Sequence, residues 1–256
     1  ATNTTFQSLV GNNSWVFNSA SNFNSVTAGA GNDGLDFALT STDDVVVLGQ
    51  GADDANFVGN VTRLNLGGGQ GNDTITASVN VSASEVRGAK DNDSINVTGT
   101  LTNSTLRGGD GNDTLRVDGL VTNSLLIDTL GTARFQFGTA ASQATITGGT
   151  GSDTIALTQT GAVDTFFANA SAIDVLSVAT AGASTTTAGG FAQTAGIRTI
   201  RNDSTTTGTQ TLNASGFTTG ITIIGNAAEV DNITAGQGND TITAGAGVST
   251  AADVVN

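Results

Sequence analysis

The chain has 256 residues, and its 8 Lys and Arg stand against 22 Asp and Glu, which gives a formal net charge of −14. This balance argues against nucleic acid or insertion into an anionic membrane, because such partners require basic protein surface. Cys and His are absent, which excludes disulfides, thiolate sites and imidazole ligands and leaves hard metals bound by oxygen.

The first segment, residues 1–25, shows no evident repeat and carries the aromatic residues Trp15, Phe17 and Phe23. We expect it to cap the fold or to dock on another molecule.

A 20-residue period then runs through residues 26–157. An acidic residue recurs every 20 residues in a glycine-rich turn. Apolar residues recur at the same interval, for example Ile75, Ile95 and Leu115, and each such set of equivalent positions is called a column. Ala133 stands at the one position of this acidic column, between residues 33 and 153, that does not hold an acidic residue. The acidic column consists of Asp33, Asp53, Asp73, Asp93, Asp113 and Asp153.

Within each repeat the apolar residues are spaced two apart, which is typical of strands. A unit of two strands buries its apolar face only against neighbouring units. The period therefore predicts an all-β fold, a right-handed parallel β-solenoid resembling a β-roll, with two strands per roughly 20-residue turn. The alternative, an antiparallel sandwich, does not need a constant repeat length.

The register is less regular beyond this region. Residues 158–222 contain Thr-, Ala- and Gly-rich stretches and are predicted to continue the solenoid less regularly. Residues 223–256 restore the glycine-rich turn with a shorter step, from Asp231 to Asp240. We expect this last segment to form an end of the β-roll type.

The repeated turn has the composition of a calcium site. Glycine permits positive φ and lets backbone carbonyls point inward, and Asp adds carboxylate oxygens, which Ca²⁺ prefers. Carboxylates stacked about 4.8 Å apart repel each other by on the order of 3 kcal/mol per neighbouring pair. Several Ca²⁺ ions would relieve that repulsion. They are expected along one edge only, because the second turn, as in VSASEV, LTNSTL and VTNSLL, lacks both glycine and Asp.

Four stretches resemble a known nonapeptide: GGQGNDTIT (68–76), GGDGNDTLR (108–116), GGTGSDTIA (148–156) and AGQGNDTIT (235–243). They look like the G-G-x-G-x-D-x-U-x repeat of the RTX family of calcium-binding proteins, closest in style to bacterial surface-layer or extracellular structural proteins. The resemblance implies a β-roll, calcium-triggered folding outside the cell and type I secretion. It assigns metal-ligand roles to Asp73, Asp113, Asp153 and Asp240 and to carbonyls around Gly69, Gly71, Gly109, Gly111, Gly149, Gly151, Gly236 and Gly238. The complete predicted ligand set adds Asp33, Asp53, Asp93, Asp231, Gly31 and Gly51.

No catalytic residues are predicted. His and Tyr are absent and the only Lys, Lys90, lies in a turn, so no pair of nucleophile and base is available. Arg87 and Arg107 share a column and are expected to form a ladder on the outer face beside Glu85.

The predicted function is therefore structural. We expect a secreted bacterial protein, at the cell surface or beyond it, that binds calcium and self-associates head to tail or laterally into a surface layer or filament. Cell-surface polysaccharide is a further candidate partner. Two alternatives stay open: a calcium-folded RTX module of a larger secreted adhesin or enzyme, and an ice-binding solenoid that uses the column Thr62, Ser82, Thr102, Thr122 and Ser142.

Overall fold

A computed structural model describes residues 4–139, 143–158, 161–205, 208–226, 230–243 and 254–255. The chain divides into two compact units, residues 1–135 with 143–151 and residues 136–142 with 152–256. Both are built from parallel strands stacked turn on turn, which confirms the predicted all-β parallel solenoid. No described helix has the length and hydropathy to cross a lipid bilayer.

The first unit repeats one pattern of strands. In chain order the strands are β1 (Thr5–Gln7), β2 (Ser14–Phe17), β3 (Ser21–Asn22), β4 (Ser25–Ala30), β5 (Gly34–Phe37), β6 (Ser41–Thr42), β7 (Val45–Gln50), β8 (Asp54–Phe57), β9 (Val61–Thr62), β10 (Asn65–Gln70), β11 (Thr74–Ala77), β12 (Val81–Ser82), β13 (Glu85–Lys90), β14 (Ser94–Val97), β15 (Leu101–Thr102), β16 (Thr105–Val117), β17 (Val121–Ile127), β18 (Leu130–Phe137) and β19 (Gln143–Thr147). The last two residues of β18 belong to the second unit.

A repeat in this unit contains a short third strand in addition to the two predicted. In the turn formed by β9, β10 and β11, the two-residue strand β9 precedes the longer pair. Arg63 follows β9 with a φ of 53°, in the left-handed region that bends the chain sharply. The same position is left-handed at Asp43, Ala83 and Asn103, so the chain corners there in successive repeats.

The register between turns is the predicted 20 residues. Ile75 pairs with Ala55 on one side and with Ile95 on the other. Inward side chains such as these are buried, and successive copies stack directly on one another. The rings of Phe37 and Phe57 lie almost parallel with their centroids 4.6 Å apart, so large side chains also fill the narrow core in register.

The repeat begins earlier than the sequence suggested. Phe6 pairs with Val26 and Phe17 with Phe37, so residues 5–7 and 14–17 have the same register, although the segment 1–25 was expected to lack the repeat. Its acidic position holds Asn13, whose backbone N–H donates to Asp33, and this exchange of Asp for Asn hid the pattern. Docking on another molecule stays a prediction.

The second unit has longer and less uniform turns. Its strands are β20 (Thr154–Leu157), β21 (Ala170–Ser171), β22 (Val175–Val178), β23 (Ser184–Thr187), β24 (Thr199–Asn202), β25 (Thr209–Asn213), β26 (Thr222–Ile224), β27 (Val230–Thr234), β28 (Thr241–Thr243) and β29 (Val254–Val255). One ladder runs through Ile155, Leu176, Ile200, Ile223 and Ile242. A second parallel sheet contains β23, β25, β27 and β29.

Two short helices lengthen turns of the second unit. They are a 3₁₀-helix (Asp164–Phe167) and the α-helix α1 (Gly190–Ala195). The carboxylate of Asp164 accepts N–H bonds from Gly189, Phe191 and Ala192. These bonds satisfy donors at the first turn of α1 that have no partner within the helix, so this carboxylate has a structural role.

Candidate metal centre

The five members of the predicted acidic column from Asp33 to Asp113 lie in the first unit and form a continuous ladder. The backbone N–H of Asp33 donates to Oδ1 of Asp53 at 2.7 Å, and that of Asp53 donates to Asp73 at 3.0 Å. The bond repeats from Asp73 to Asp93 and from Asp93 to Asp113, at 2.8 Å each. Each carboxylate therefore holds the backbone of the preceding turn.

The second carboxylate oxygen in this column has no hydrogen-bond partner. The buried Oδ2 atoms without one, among the described residues, include those of Asp33, Asp53, Asp73, Asp93, Asp113 and Asp128. A buried acceptor without a partner costs about 1–3 kcal/mol, and more when it is charged. Oxygens of this kind are what a hard cation binds, so the column fits calcium.

Burial perturbs the titration of the same carboxyls. Loss of hydration raises the pKa of Asp73, Asp93 and Asp113 to about 7, although the backbone N–H bonds oppose the shift. The charges of neighbouring acids raise these pKa values further, and at Asp113 a hydrogen bond with Asp128 adds to the rise before its charge does. Burial likewise raises the pKa of Asp53. Without a cation, the interior therefore favours neutral carboxyls.

The glycines of the turn are required by close stacking. Of the ten glycines in the predicted ligand set, Gly149 and Gly236 lack positive φ and the other eight have it. A Cβ on Gly69 would lie 2.0 Å from the carbonyl oxygen of Gly49, far inside contact distance. A Cβ on Gly68 would lie 2.3 Å from Oδ2 of Asp73, so the absent side chain leaves space for the carboxylate.

The Asn that precedes Asp forms a second ladder in the opposite direction. The N–H of Asn92 donates to Oδ1 of Asn72 at 2.9 Å, and that of Asn112 donates to Asn92 at 2.7 Å. Each Asn thus holds the following turn while each Asp holds the preceding one. The Asn-Asp pair that recurs at 32–33, 72–73, 92–93 and 112–113 was visible in the sequence, but the opposite directions of its two hydrogen bonds were not.

The other turn of the repeat is closed by hydroxyl groups. The N–H of Leu64 donates to Oγ of Ser84 at 3.0 Å, and the bond repeats from Ser84 to Ser104 at 3.0 Å. Asp44 lies in the same column, where its two oxygens accept bonds from the N–H of Asn24 and the hydroxyl of Ser41. This turn therefore satisfies its polar groups internally.

The second unit contains the remaining predicted ligands. The N–H of Asp153, which is buried, donates to the carboxylate of Asp174 at 3.0 Å, and Asp240 accepts the N–H of Ile221 at 3.0 Å. Both repeat the ladder seen in the first unit. Asp231 differs, because its oxygens accept bonds from Asn202 and Asn226, so a metal would have to displace those donors.

Sequence reasoning missed two carboxylates of the ladders, Asp128 and Asp174. Asp174 follows Asp153 by 21 residues and precedes an alternating apolar run without any glycine. Asp128 stands at the position where neighbouring repeats have Gly108 and Gly148. Only the pairing of turns reveals either residue.

The described residues bring no three acidic side chains to one point. A calcium ion here would therefore be held by carboxylates of neighbouring turns together with backbone carbonyls. Five arginines of the described residues form surface ion pairs. Arg87 and Arg107 pair in register, each within 3.7 Å of Glu85, which confirms the predicted ladder.

Comparison with known proteins supports the same chemistry. A family model described as RTX calcium-binding nonapeptide repeat (4 copies) matches residues 96–119 and 228–248. Neither a curated protein nor a solved structure matches the chain. The matched stretches contain the turns of Asp113 and Asp240, and they confirm the predicted RTX repeats.

Proposed function

We propose that this protein is an extracellular structural module whose solenoid is stabilised by calcium at the aspartate turns. The observation that carries the proposal is the column of buried Oδ2 atoms without hydrogen-bond partners. In the first unit Asp53, Asp73, Asp93 and Asp113, with carbonyls of the turn glycines, would hold the ions. Bound Ca²⁺ supplies the positive charge that lets these carboxylates remain ionised in the interior.

Thermal unfolding with and without calcium tests the proposal. We expect millimolar CaCl₂ at pH 7.5 to raise the Tm of metal-free protein and MgCl₂ to raise it much less, since Mg²⁺ demands strict octahedral geometry. The variant Asp93→Asn should lose part of the calcium response, whereas Asp36→Asn, which removes an exposed charge, should keep it. An unchanged Tm in calcium would exclude the proposal.

Secretion is part of this proposal. RTX repeats are typical of secreted bacterial proteins, and the chain contains no Cys. Calcium sites of extracellular modules bind at about 10⁻⁴–10⁻³ M, so a module of this type folds after export. A dissociation constant in that range, measured by calorimetry, supports an extracellular role, and submicromolar binding opposes it.

Self-association into a layer or filament is the second part, and the occupant we propose is another copy of this chain. Val45 and Val47 point outward from β7, each 44% exposed. Contact with a second copy would remove this apolar surface from water. The polar residues Ser25 and Asn65 flank Val45 in neighbouring strands, so the apolar pair is local.

Sedimentation velocity in the presence of calcium distinguishes a self-associating protein from a monomeric module. We expect large assemblies in calcium for the unmodified chain and smaller ones for the double variant Val45→Thr, Val47→Thr. A monomer in calcium would instead support the alternative of an RTX module within a larger secreted protein.

The ice-binding alternative receives less support. Thr62, Ser82, Thr102 and Thr122 do align in register, and Ser142 lies outside the described residues. The aligned hydroxyl residues are half-buried, however, and flanked by unlike residues such as Arg63 and Ala83. Thermal hysteresis in calcium would identify ice binding.

A further inference from the structure

The turn that lacks its aspartate receives a carboxylate from another position. Ala133 stands in the acidic column and is fully buried, and Asp128 occupies the column of Gly88 and Gly108. Glycine and aspartate have thus been replaced at the two positions that face each other in the ordinary turn. A change at one position compensates the change at the other.

The geometry of the ordinary turn explains why the exchange is allowed. At Gly68 and Gly88 the space of a Cβ is filled by Oδ2 of Asp73 and Asp93, at 2.3 and 2.1 Å. A side chain at the glycine position and a carboxylate at the aspartate position therefore exclude each other. Where Ala133 removes the carboxylate, the glycine position can carry a side chain.

Asp128 places its carboxylate beside that of Asp113. A Cβ built on Gly108 would lie 2.4 Å from Oδ2 of Asp113 and 2.4 Å from Oδ1 of Asp128, so these two oxygens are at most twice that distance apart. Each residue is 2% exposed. The N–H of Gly109 donates to Oδ1 of Asp128 at 3.1 Å.

With both carboxyls ionised, neither Oδ2 of Asp113 nor Oδ2 of Asp128 has a hydrogen-bond donor; without a cation, only a proton held between the two side chains would join them. None of the ion pairs in the described part of the chain includes Asp113 or Asp128. Two carboxylates buried side by side repel each other strongly in a low-dielectric interior. A divalent cation between them satisfies the two oxygens and removes the repulsion.

We propose that Asp113 and Asp128 together bind one calcium ion, with Asp128 in place of the aspartate that Ala133 has lost. This inference rests on the proposed function, since it adds a ligand to the calcium-bound column from the first position of the nonapeptide, where the pattern has glycine. With this ion bound, the turn that contains Ala133 also contributes a calcium ligand, although its aspartate position is occupied by alanine.

The test is the number of calcium ions bound per chain, measured by equilibrium dialysis of the full 256-residue protein against CaCl₂. We expect Asp128→Asn to bind one ion fewer than the unmodified chain. The double variant Asp128→Gly, Ala133→Asp, which rebuilds the ordinary turn, should restore the lost ion. Asp110→Asn removes an exposed charge from the same turn and serves as the matched control.

Thermal unfolding supplies a second readout. In metal-free buffer at pH 7.5 Asp128→Asn should raise the Tm, because it removes one of two repelling charges, and in calcium it should lower the Tm. An unchanged ion count in Asp128→Asn, or a Tm raised in both buffers as expected for two carboxyls sharing a proton, overturns the inference while the proposed function stands. Absence of calcium binding in the unmodified chain overturns both.

Discussion

The metal-free protein should become more stable when it is acidified. Asp73, Asp93 and Asp113 have pKa values raised by burial to about 7, against about 3.9 for an unfolded Asp. A carboxyl whose folded pKa is raised favours the fold below pH 4, and this contribution is lost as the pH rises through 7. The expected window of destabilisation is therefore pH 4 to 7.

The size of the effect follows from the pKa values. One pKa unit corresponds to about 1.4 kcal/mol, so each ionised carboxylate opposes folding by ~4 kcal/mol at most. Solvent screening reduces this to roughly 2 kcal/mol each. The three contributions overlap, because the pKa of Asp93 is itself raised by the charges of Asp73 and Asp113. Together they oppose folding by several kcal/mol, which is a large share of the ~5–15 kcal/mol that stabilises a typical domain.

Circular dichroism during thermal unfolding measures this effect. Protein freed of metal by dialysis should unfold at a higher temperature at pH 4.5 than at pH 7.5, and calcium at pH 7.5 should restore the difference. Converting the three residues to Asn should flatten the pH dependence, whereas converting exposed Asp36 should not. A metal-free protein that is equally stable at both pH values, or more stable at pH 7.5, would refute the reasoning.

Three further substitutions test the packing of the first unit, each by chemical denaturation in calcium. Gly69→Ala should be strongly destabilising, because its Cβ would clash with a carbonyl oxygen and its φ is +119°. Gly67→Ala should have little effect, because no atom lies within 4 Å of the added Cβ. Equal effects of the two substitutions would contradict the stacking argument. Phe57→Ala should cost ~3–5 kcal/mol, since its ring is buried between turns, and a loss below 1 kcal/mol would oppose this packing. Ser104→Ala should cost about 1–3 kcal/mol, because the N–H of Ser84 loses its acceptor, and an unchanged midpoint would show that this ladder does not stabilise the fold.

The fold could be predicted because equivalent apolar and acidic residues recur in the sequence at a constant spacing of 20 residues. Ile75 and Ile95 pair as the count requires, and the acidic column lies in one turn. The third strand was not predicted, because the left-handed corner before β10 and β13 accepts residues as different as Arg63 and Ala83. No residue type marks that corner.

The candidate site was predicted in position but not in arrangement. The sequence placed Asp73 and Asp93 in one column, yet it could not show that one oxygen of each binds the backbone of the preceding turn. Asp128 was missed because it stands at the first position of the repeat, where the nonapeptide has glycine, and its relation to Asp113 depends on a contact between turns. That Asp128 can take the place of the aspartate missing at Ala133 becomes clear only when the positions of both residues in the turn are known.

The constant spacing of the ladders has a consequence for how such a chain changes in evolution. From Asp33 to Asp113 every aspartate of the acidic column accepts the N–H of the residue 20 positions earlier. Recombination that removes or duplicates a block of 20 residues therefore joins equivalent positions, and every backbone N–H of the ladder keeps a carboxylate acceptor. The height of the stack is set by copy number, and a lineage can lengthen or shorten it without redesigning any single contact.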